Sequence, residues 1–196
     1  ALEGSIYNTG STLKWLRDNM GLLKSYEDID KMAEGTDHQD RLYLVPALTG
    51  LGAPYWDPEA GALLIGFDRS TSPGDIIRAA LESAAFRTRD VIKAMEADSG
   101  TAIKEVRIDG GVAKSRLFCQ LLADITGKRI IKPDLEETTS LGIFFGAGLA
   151  AGIWDHKEDI DIRDKNTSFE PMISSRIRET IYKNWERAVE KSLNWH

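Results

Sequence analysis

The sequence has little of the chemistry that most often marks an active site. Its 196 residues include one cysteine, Cys119, and three histidines, His38, His156 and His196, which lie far apart along the chain. A disulfide framework and a cysteine-based metal site are therefore excluded, and the histidines have no partners at the spacing of metal ligands. We interpret the histidines as surface residues. Cys119 lies on the apolar face of a predicted helix, so we interpret it as a core thiol.

Several motifs with known catalytic mechanics are also absent. The chain has no G-x-x-x-x-G-K-[ST] phosphate loop, no H-E-x-x-H and no G-x-S-x-G. The glycines of residues 49–58 do not complete G-x-G-x-x-G, because Tyr55 occupies the third glycine position. A Rossmann dinucleotide site is therefore not predicted. No two acids are spaced so that the roles of general acid and base could be assigned to them.

Charge and hydrophobic runs exclude two further classes of protein. A net charge of -6 without a dense Lys/Arg run argues against a surface for nucleic acid or anionic membranes. The net charge does not exclude small anionic ligands, because these need only a local patch or backbone amides for binding. The longest apolar stretch, residues 141–154, is shorter than the roughly 18 to 20 residues of a spanning helix, and we expect a buried helix there. No signal peptide is visible, which predicts a cytoplasmic setting.

Alternating strand and helix patterns predict an α/β layered domain with a sizeable core. The helix that begins at Ser72 has the clearest signals, with a cap, a proline at its first position and an acid in its first turn. We interpret the charged residues on this helix as a solvated face or as helix-packing ion pairs; they are Glu82, Arg87, Arg89 and Asp90. We predict strands at residues 2–7, 42–46, 63–67, 106–108 and 129–131, the third and fourth of them buried. We predict helices at residues 9–20, 25–35, 73–99, 116–126, 141–152 and 172–193.

The stretch most informative about a ligand is a double glycine between a strand and a helix. Gly110 and Gly111 follow the strand at residues 106–108, and Ser115 is the predicted N-cap of the next helix. Because no Cβ blocks the approach, a ligand can lie flat against the backbone of such a turn. A tight turn without any ligand is the other interpretation that these residues allow.

Four stretches together resemble the FGGY family of carbohydrate kinases. They are Thr-Gly-Leu-Gly-Ala-Pro-Tyr-Trp-Asp-Pro at residues 49–58, Arg-Ala-Ala-Leu-Glu-Ser at 78–83, Ile-Asp-Gly-Gly at 108–111 and Glu-Thr-Thr-Ser-Leu-Gly at 137–142. The first of these is highly specific, and a second family signature resembles residues 62–82. The resemblance extends from residue 1 to about residue 195.

The resemblance implies an actin-like ATPase (ribonuclease H-like) lobe, with a mixed sheet flanked by helices. Residues 1–196 would be the C-terminal, nucleotide-binding lobe of a longer kinase, whose N-terminal lobe would precede residue 1. The implied cofactors are ATP and Mg²⁺, and the implied partner is a small polyol or sugar that accepts the γ-phosphoryl group. A homo-oligomer is implied for the full-length protein. The catalytic Asp and the metal-binding acids would also precede residue 1, so no catalytic or metal-binding residue is assigned, and the chain alone is expected to be inactive.

By the same resemblance, five residues near two helix starts are expected to bind the nucleotide. The first helix and the double-glycine turn contribute them. They are Gly10, Lys14, Gly110, Gly111 and Ser115.

Three positions depart from the family pattern. Lys14 stands where Gln is usual, Ser115 where Asn is usual, and Gly61 where Arg is usual. The run Gly-Gly-Val-Ala-Lys-Ser at residues 110–115 also resembles other FGGY kinases, such as those of xylulose, so the resemblance leaves two kinds of acceptor: glycerol, or another sugar or polyol such as xylulose. Two further hypotheses also stay open: a non-catalytic nucleotide-binding module on the same fold, and motifs that only determine the fold.

Overall fold

The structure is a computed structural model that describes residues 2–36, 42–133, 138–154, 156 and 166–196. It confirms the α/β class, with helices against two small sheets. The helices are α1 (Thr9–Asp18), α2 (Ile29–Ala33), α3 (Pro73–Ser99), α4 (Arg116–Thr126), α5 (Thr138–Ala150) and α6 (Ser175–Ser192). The strands are β1 (Tyr43–Val45), β2 (Leu63–Ile65), β3 (Glu105–Arg107), β4 (Arg129–Pro133) and β5 (Asn166–Phe169).

The larger sheet has the order β3-β4-β5 and is mixed. Strands β3 and β4 are parallel, with Val106 opposite Ile130, and α4 is the crossover between them. Strand β5 is antiparallel to β4 and was not predicted, because only Phe169 of its four residues is buried and apolar. The smaller sheet pairs β1 with β2 in antiparallel fashion.

Helix α3 is the element around which the others pack. Ser72 and Asp75 form the predicted capping box: the Ser72 hydroxyl accepts from the Asp75 amide, and the Asp75 carboxylate accepts from the Ser72 amide at 2.7 Å. The helix ends at Gly100, which adopts a left-handed conformation at φ 66°. Between these caps α3 contacts α1, α2, α4 and β1, and α4 in turn packs on β4 and β5 of the larger sheet.

The charged residues of α3 do not form a solvated face. Glu82, Arg87, Arg89 and Asp90 are all buried, so the ion-pair interpretation is confirmed and the solvated one is wrong. The Arg87 guanidinium lies 3.0 Å from the Asp90 carboxylate, and both side chains are 1% exposed. Arg89 pairs with Glu179 of α6 at 2.6 Å. Helical periodicity identified this face only by its polarity, which does not distinguish water from a buried ionic partner.

Three further expectations about strands and burial are wrong. Residues 2–7 form no regular strand. The segment at 63–67 is not buried, since Ile65 is 39% exposed and Phe67 63% exposed. In β3 only Val106 is partly buried, because this strand lies at the edge of the sheet.

The apolar run at residues 141–154 is helical as far as Ala150, two residues short of the predicted end, and most of its described residues are not buried. Ile143 is 70% exposed and Phe144 59% exposed. The aromatic rings of this segment instead contact one another, with Phe144 and Trp154 5.5 Å apart between ring centroids. Across the part of the chain that the structure describes, no helix combines the length and apolar character needed to cross a membrane.

Candidate functional site

The loop at residues 49–58 is held in place from inside the protein. Arg87 donates hydrogen bonds to the carbonyl oxygens of Gly52, at 3.3 Å, and Ala53. Its guanidinium also lies over the Tyr55 ring, 4.9 Å from the centroid. Gly50 has a φ of 78°, and a Cβ there would come within 2.8 Å of backbone atoms. The glycine and aromatic pattern of this loop therefore has a packing explanation.

The C-terminal residues hold the same region from outside. The backbone amide of Gly61 donates to the Ser192 carbonyl at 2.9 Å, and the amide of Asn194 donates to the Asp57 carboxylate at 2.9 Å. A Cβ at Gly61 would lie 2.7 Å from the Trp195 ring. A side chain at position 61 would therefore require the Trp195 ring to move.

A cavity of about 720 Å³ lies between α1, the segment at residues 26–30 and the double-glycine turn. Its volume falls within the range of roughly 300 to 1,000 Å³ that is usual for small-molecule sites. One wall comes from the N-terminal elements and the other from the 3₁₀ turn Gly111–Lys114 with the start of α4. The lining residues are Gly10, Leu13, Tyr26, Glu27, Ile29, Asp30, Gly111, Val112, Lys114 and Ser115.

The glycines at this cavity face open space. A Cβ placed on Gly10, Gly110 or Gly111 would meet nothing within 4 Å. Gly110 has a φ of 95°, so it turns the chain in a way that other residues rarely adopt, whereas Gly10 and Gly111 have no such requirement. The chain thus presents bare backbone to the cavity at two places where packing alone would allow a side chain.

The start of α4 carries a cap that the sequence predicted only in part. The Ser115 hydroxyl accepts from the Phe118 amide at 2.9 Å, as expected of an N-cap. It also donates to the Asp30 carboxylate, which accepts the Arg116 amide at 2.9 Å and the Leu117 amide at 3.4 Å. Hydrogen bonds within the protein therefore occupy the first amides of α4.

The structure brings most of the predicted nucleotide-binding residues together. Gly10, Gly111 and Ser115 line one cavity although Gly10 is far from the other two along the chain, and Gly110 immediately precedes the turn. Lys14 is exposed on α1 and is not among the lining residues. Ser115 is buried and its hydroxyl is used by the cap of α4. Their roles in binding stay predictions.

Sequence reasoning missed the contribution of the segment at residues 26–30. Tyr26, Glu27, Ile29 and Asp30 all line the cavity. The helical pattern predicted at residues 25–35 placed the helix start correctly, since the Ser25 hydroxyl caps it by accepting from the Glu27 amide at 3.2 Å. Nothing in the pattern related this short segment to a helix that begins more than eighty residues later.

The chemical groups at and near the cavity do not form a metal centre. Within the described ranges, no three His, Cys, Asp or Glu side chains are grouped so that they could hold a metal ion. Cys119, on α4, is buried and its thiol donates to the Ala113 carbonyl. Burial raises the pKa of this thiol to about 11, so Cys119 is a core residue, as predicted, and not a nucleophile.

The fold and the cavity together define an α/β lobe of the actin-like ATPase type with a cleft of small-molecule size. The chain belongs to the FGGY family of carbohydrate kinases, since residues 1–151 match the model of that family's C-terminal domain.

Similar proteins agree with this assignment. A glycerol kinase of Dechloromonas aromatica is 45% identical over 195 residues, which is 99% of this chain and 39% of that protein. The crystal structure of Plasmodium falciparum glycerol kinase with ADP superposes with a TM-score of 0.88 at 31% identity, covering 97% of this chain and 38% of that one. A ligand-bound xylulose kinase of Lactobacillus acidophilus shares the fold, with a TM-score of 0.74 at 24% identity over 96% of this chain and 38% of that one. The chain spans 39% of the length of the curated relative.

Proposed function

We propose that this chain supplies the nucleotide-binding lobe of a kinase that transfers the γ-phosphoryl group of ATP to glycerol. The observation that carries the proposal is the cavity to which Gly10 and Gly111 present open backbone from two distant parts of the chain. The names of the similar proteins support glycerol as the acceptor, because relatives named glycerol kinase align along the whole chain.

The residues at the cavity fit a nucleoside better than a metal ion. A flat base or ribose can lie against the backbone of Gly10 and Gly111, where no Cβ intervenes. Leu13, Ile29 and Val112 add apolar surface that excludes water from the bound ring. When bound, MgATP supplies the phosphoryl group. The contribution of this chain is to hold and orient the nucleotide, which is a large part of catalysis in phosphoryl transfer.

Valine substitutions at the two open glycines test the nucleotide site. We expect Gly111→Val and Gly10→Val each to weaken ADP binding by at least about tenfold, because the new side chain fills space that the nucleotide requires. Both glycines can accept a side chain without backbone strain, and a Cβ on either would contact nothing within 4 Å. Isothermal titration of the chain with ADP measures the change.

Gly146→Val provides the matched control. Gly146 lies on the exposed side of α5, also with nothing within 4 Å of its Cβ position, and it does not line the cavity. ADP affinity should be unchanged in this variant. If all three variants bound ADP like the unmodified chain, the cavity would not be the nucleotide site, and the double glycine would be a tight turn only.

The acceptor is tested in the longer protein that carries this lobe. With MgATP, we expect phosphorylation of glycerol, and much slower turnover with xylulose, ribulose, gluconate or no acceptor. Selective phosphorylation of one of the sugars would support the kinase activity but show that its acceptor is that sugar and not glycerol. ADP binding without turnover on any acceptor would instead favour a non-catalytic nucleotide-binding module. A homo-oligomer and a cytoplasmic setting stay predictions for that protein.

A further inference from the structure

We propose that Asp30 is a positioning residue of the nucleotide site: its carboxylate ties the two walls of the cavity together and thereby fixes their separation. This inference rests on the proposed function, because it assumes that the cavity holds the nucleotide. Asp30 is not among the residues that the family resemblance implied.

The carboxylate of Asp30 joins elements that are distant in the sequence. Asp30 lies in α2, a helix of five residues on the N-terminal wall. One of its oxygens accepts the Ser115 hydroxyl, and the other accepts the amides of Arg116 and Leu117 at 2.9 and 3.4 Å. Hydrogen bonds donated to a charged acceptor are shorter and stronger than those between neutral groups, so this contact is an effective link between the walls.

Capping of α4 does not by itself explain the arrangement. Ser115 already caps the helix locally through the Phe118 amide, as Ser174 does for α6 through the Ile177 amide. Helix α6 begins with that serine cap and has no acidic residue in its first turn. At α4 a second, distant carboxylate is added, and both Asp30 and Ser115 line the cavity. The additional hydrogen bonds therefore constrain the position of the 3₁₀ turn Gly111–Lys114, which connects directly to Ser115.

The test compares ADP affinity with thermal stability in the 196-residue chain. We expect Asp30→Ala to weaken ADP binding about tenfold at temperatures well below unfolding, because the turn is no longer held against the N-terminal wall. Asp30→Asn keeps the size of the side chain and one acceptor oxygen, so its loss of affinity should be smaller. If Asp30→Ala does not fold, ADP affinity is measured with Asp30→Asn instead.

Ser174→Ala is the matched control, because it removes the cap of a helix that does not line the cavity. It should lower the melting temperature but leave ADP affinity within about twofold of the unmodified chain. Asp30 variants that lose stability to the same extent but bind ADP normally would overturn the proposal and leave Asp30 a cap only. Failure of the unmodified chain to bind ADP would overturn the nucleotide site itself, and the positioning role with it.

Discussion

Replacing Arg87 with methionine is expected to lower the free energy of unfolding by about 3–5 kcal/mol. The substitution removes one partner of a fully buried ion pair and leaves the Asp90 carboxylate buried without its cation. It also removes the hydrogen bonds that Arg87 donates to the loop carbonyls of Gly52 and Ala53. Urea unfolding followed by circular dichroism gives the difference.

The loss of stability caused by Arg87→Met should depend on pH. Burial raises the pKa of Asp90, while hydrogen bonding from Tyr182 and the charge of Arg87 oppose this rise. Without Arg87 the pKa of Asp90 rises further, so the folded state binds a proton that the unfolded state releases. Stability then falls as pH rises above the ordinary carboxyl range, and the variant should be less destabilised at pH 5 than at pH 8.

Arg17→Met is the control for this prediction. Arg17 also pairs with an aspartate on the same helix, Asp18 at 2.6 Å, but the pair is on the surface. Its removal should leave the unfolding transition nearly unchanged at both pH values, since solvent screens exposed pairs. An Arg87→Met variant that unfolds like the Arg17→Met variant would show that the buried pair contributes little.

Replacing Trp185 with alanine is also expected to lower the free energy of unfolding by about 3–5 kcal/mol. Trp185 is 0% exposed, and its ring stacks on Phe86 with centroids 5.1 Å apart and planes 7° from parallel. Its indole N–H donates to the Asp90 carboxylate at 3.1 Å. Alanine therefore leaves a cavity between α3 and α6, and the buried Asp90 carboxylate loses a hydrogen-bond donor.

Two variants separate these contributions and check the magnitude. Trp185→Phe keeps most of the apolar contact with Phe86 but lacks the N–H, so its loss should be clearly smaller than that of Trp185→Ala. Trp195→Ala changes a tryptophan that is 70% exposed and should cost less than about 1 kcal/mol. Equal losses for the two alanine variants, measured by urea unfolding, would contradict this account of the core.

Local signals in the sequence were sufficient for most elements of the fold. The capping signals at residues 72–75 predicted the start of α3, and Ser115 predicted the start of α4, because both depend on residues close together in the chain. Burial was harder to predict. The apolar run of α5 and the strand at 63–67 have core-like compositions, but whether a segment is covered depends on distant elements.

In the candidate site, too, contacts between distant parts of the chain were the ones that the sequence did not predict. Gly10 and Gly111 could be identified through the family resemblance, and the structure shows that they line one cavity. Asp30 could not be identified from the sequence, because its partners Ser115 and Arg116 are 85 and 86 residues away and no sequence pattern relates them to it. The hydrogen bonds from Arg87 to the loop were missed for a similar reason, because the carbonyls that accept them come from another part of the chain.

The cap of α4 also has an electrostatic consequence. A helix N-terminus with free amides attracts anions, because its partial positive charge is not neutralised. In this chain the Asp30 carboxylate already supplies the negative charge and accepts two of the amides. The start of α4 is therefore better suited to contact an uncharged part of a ligand than to bind a phosphate group.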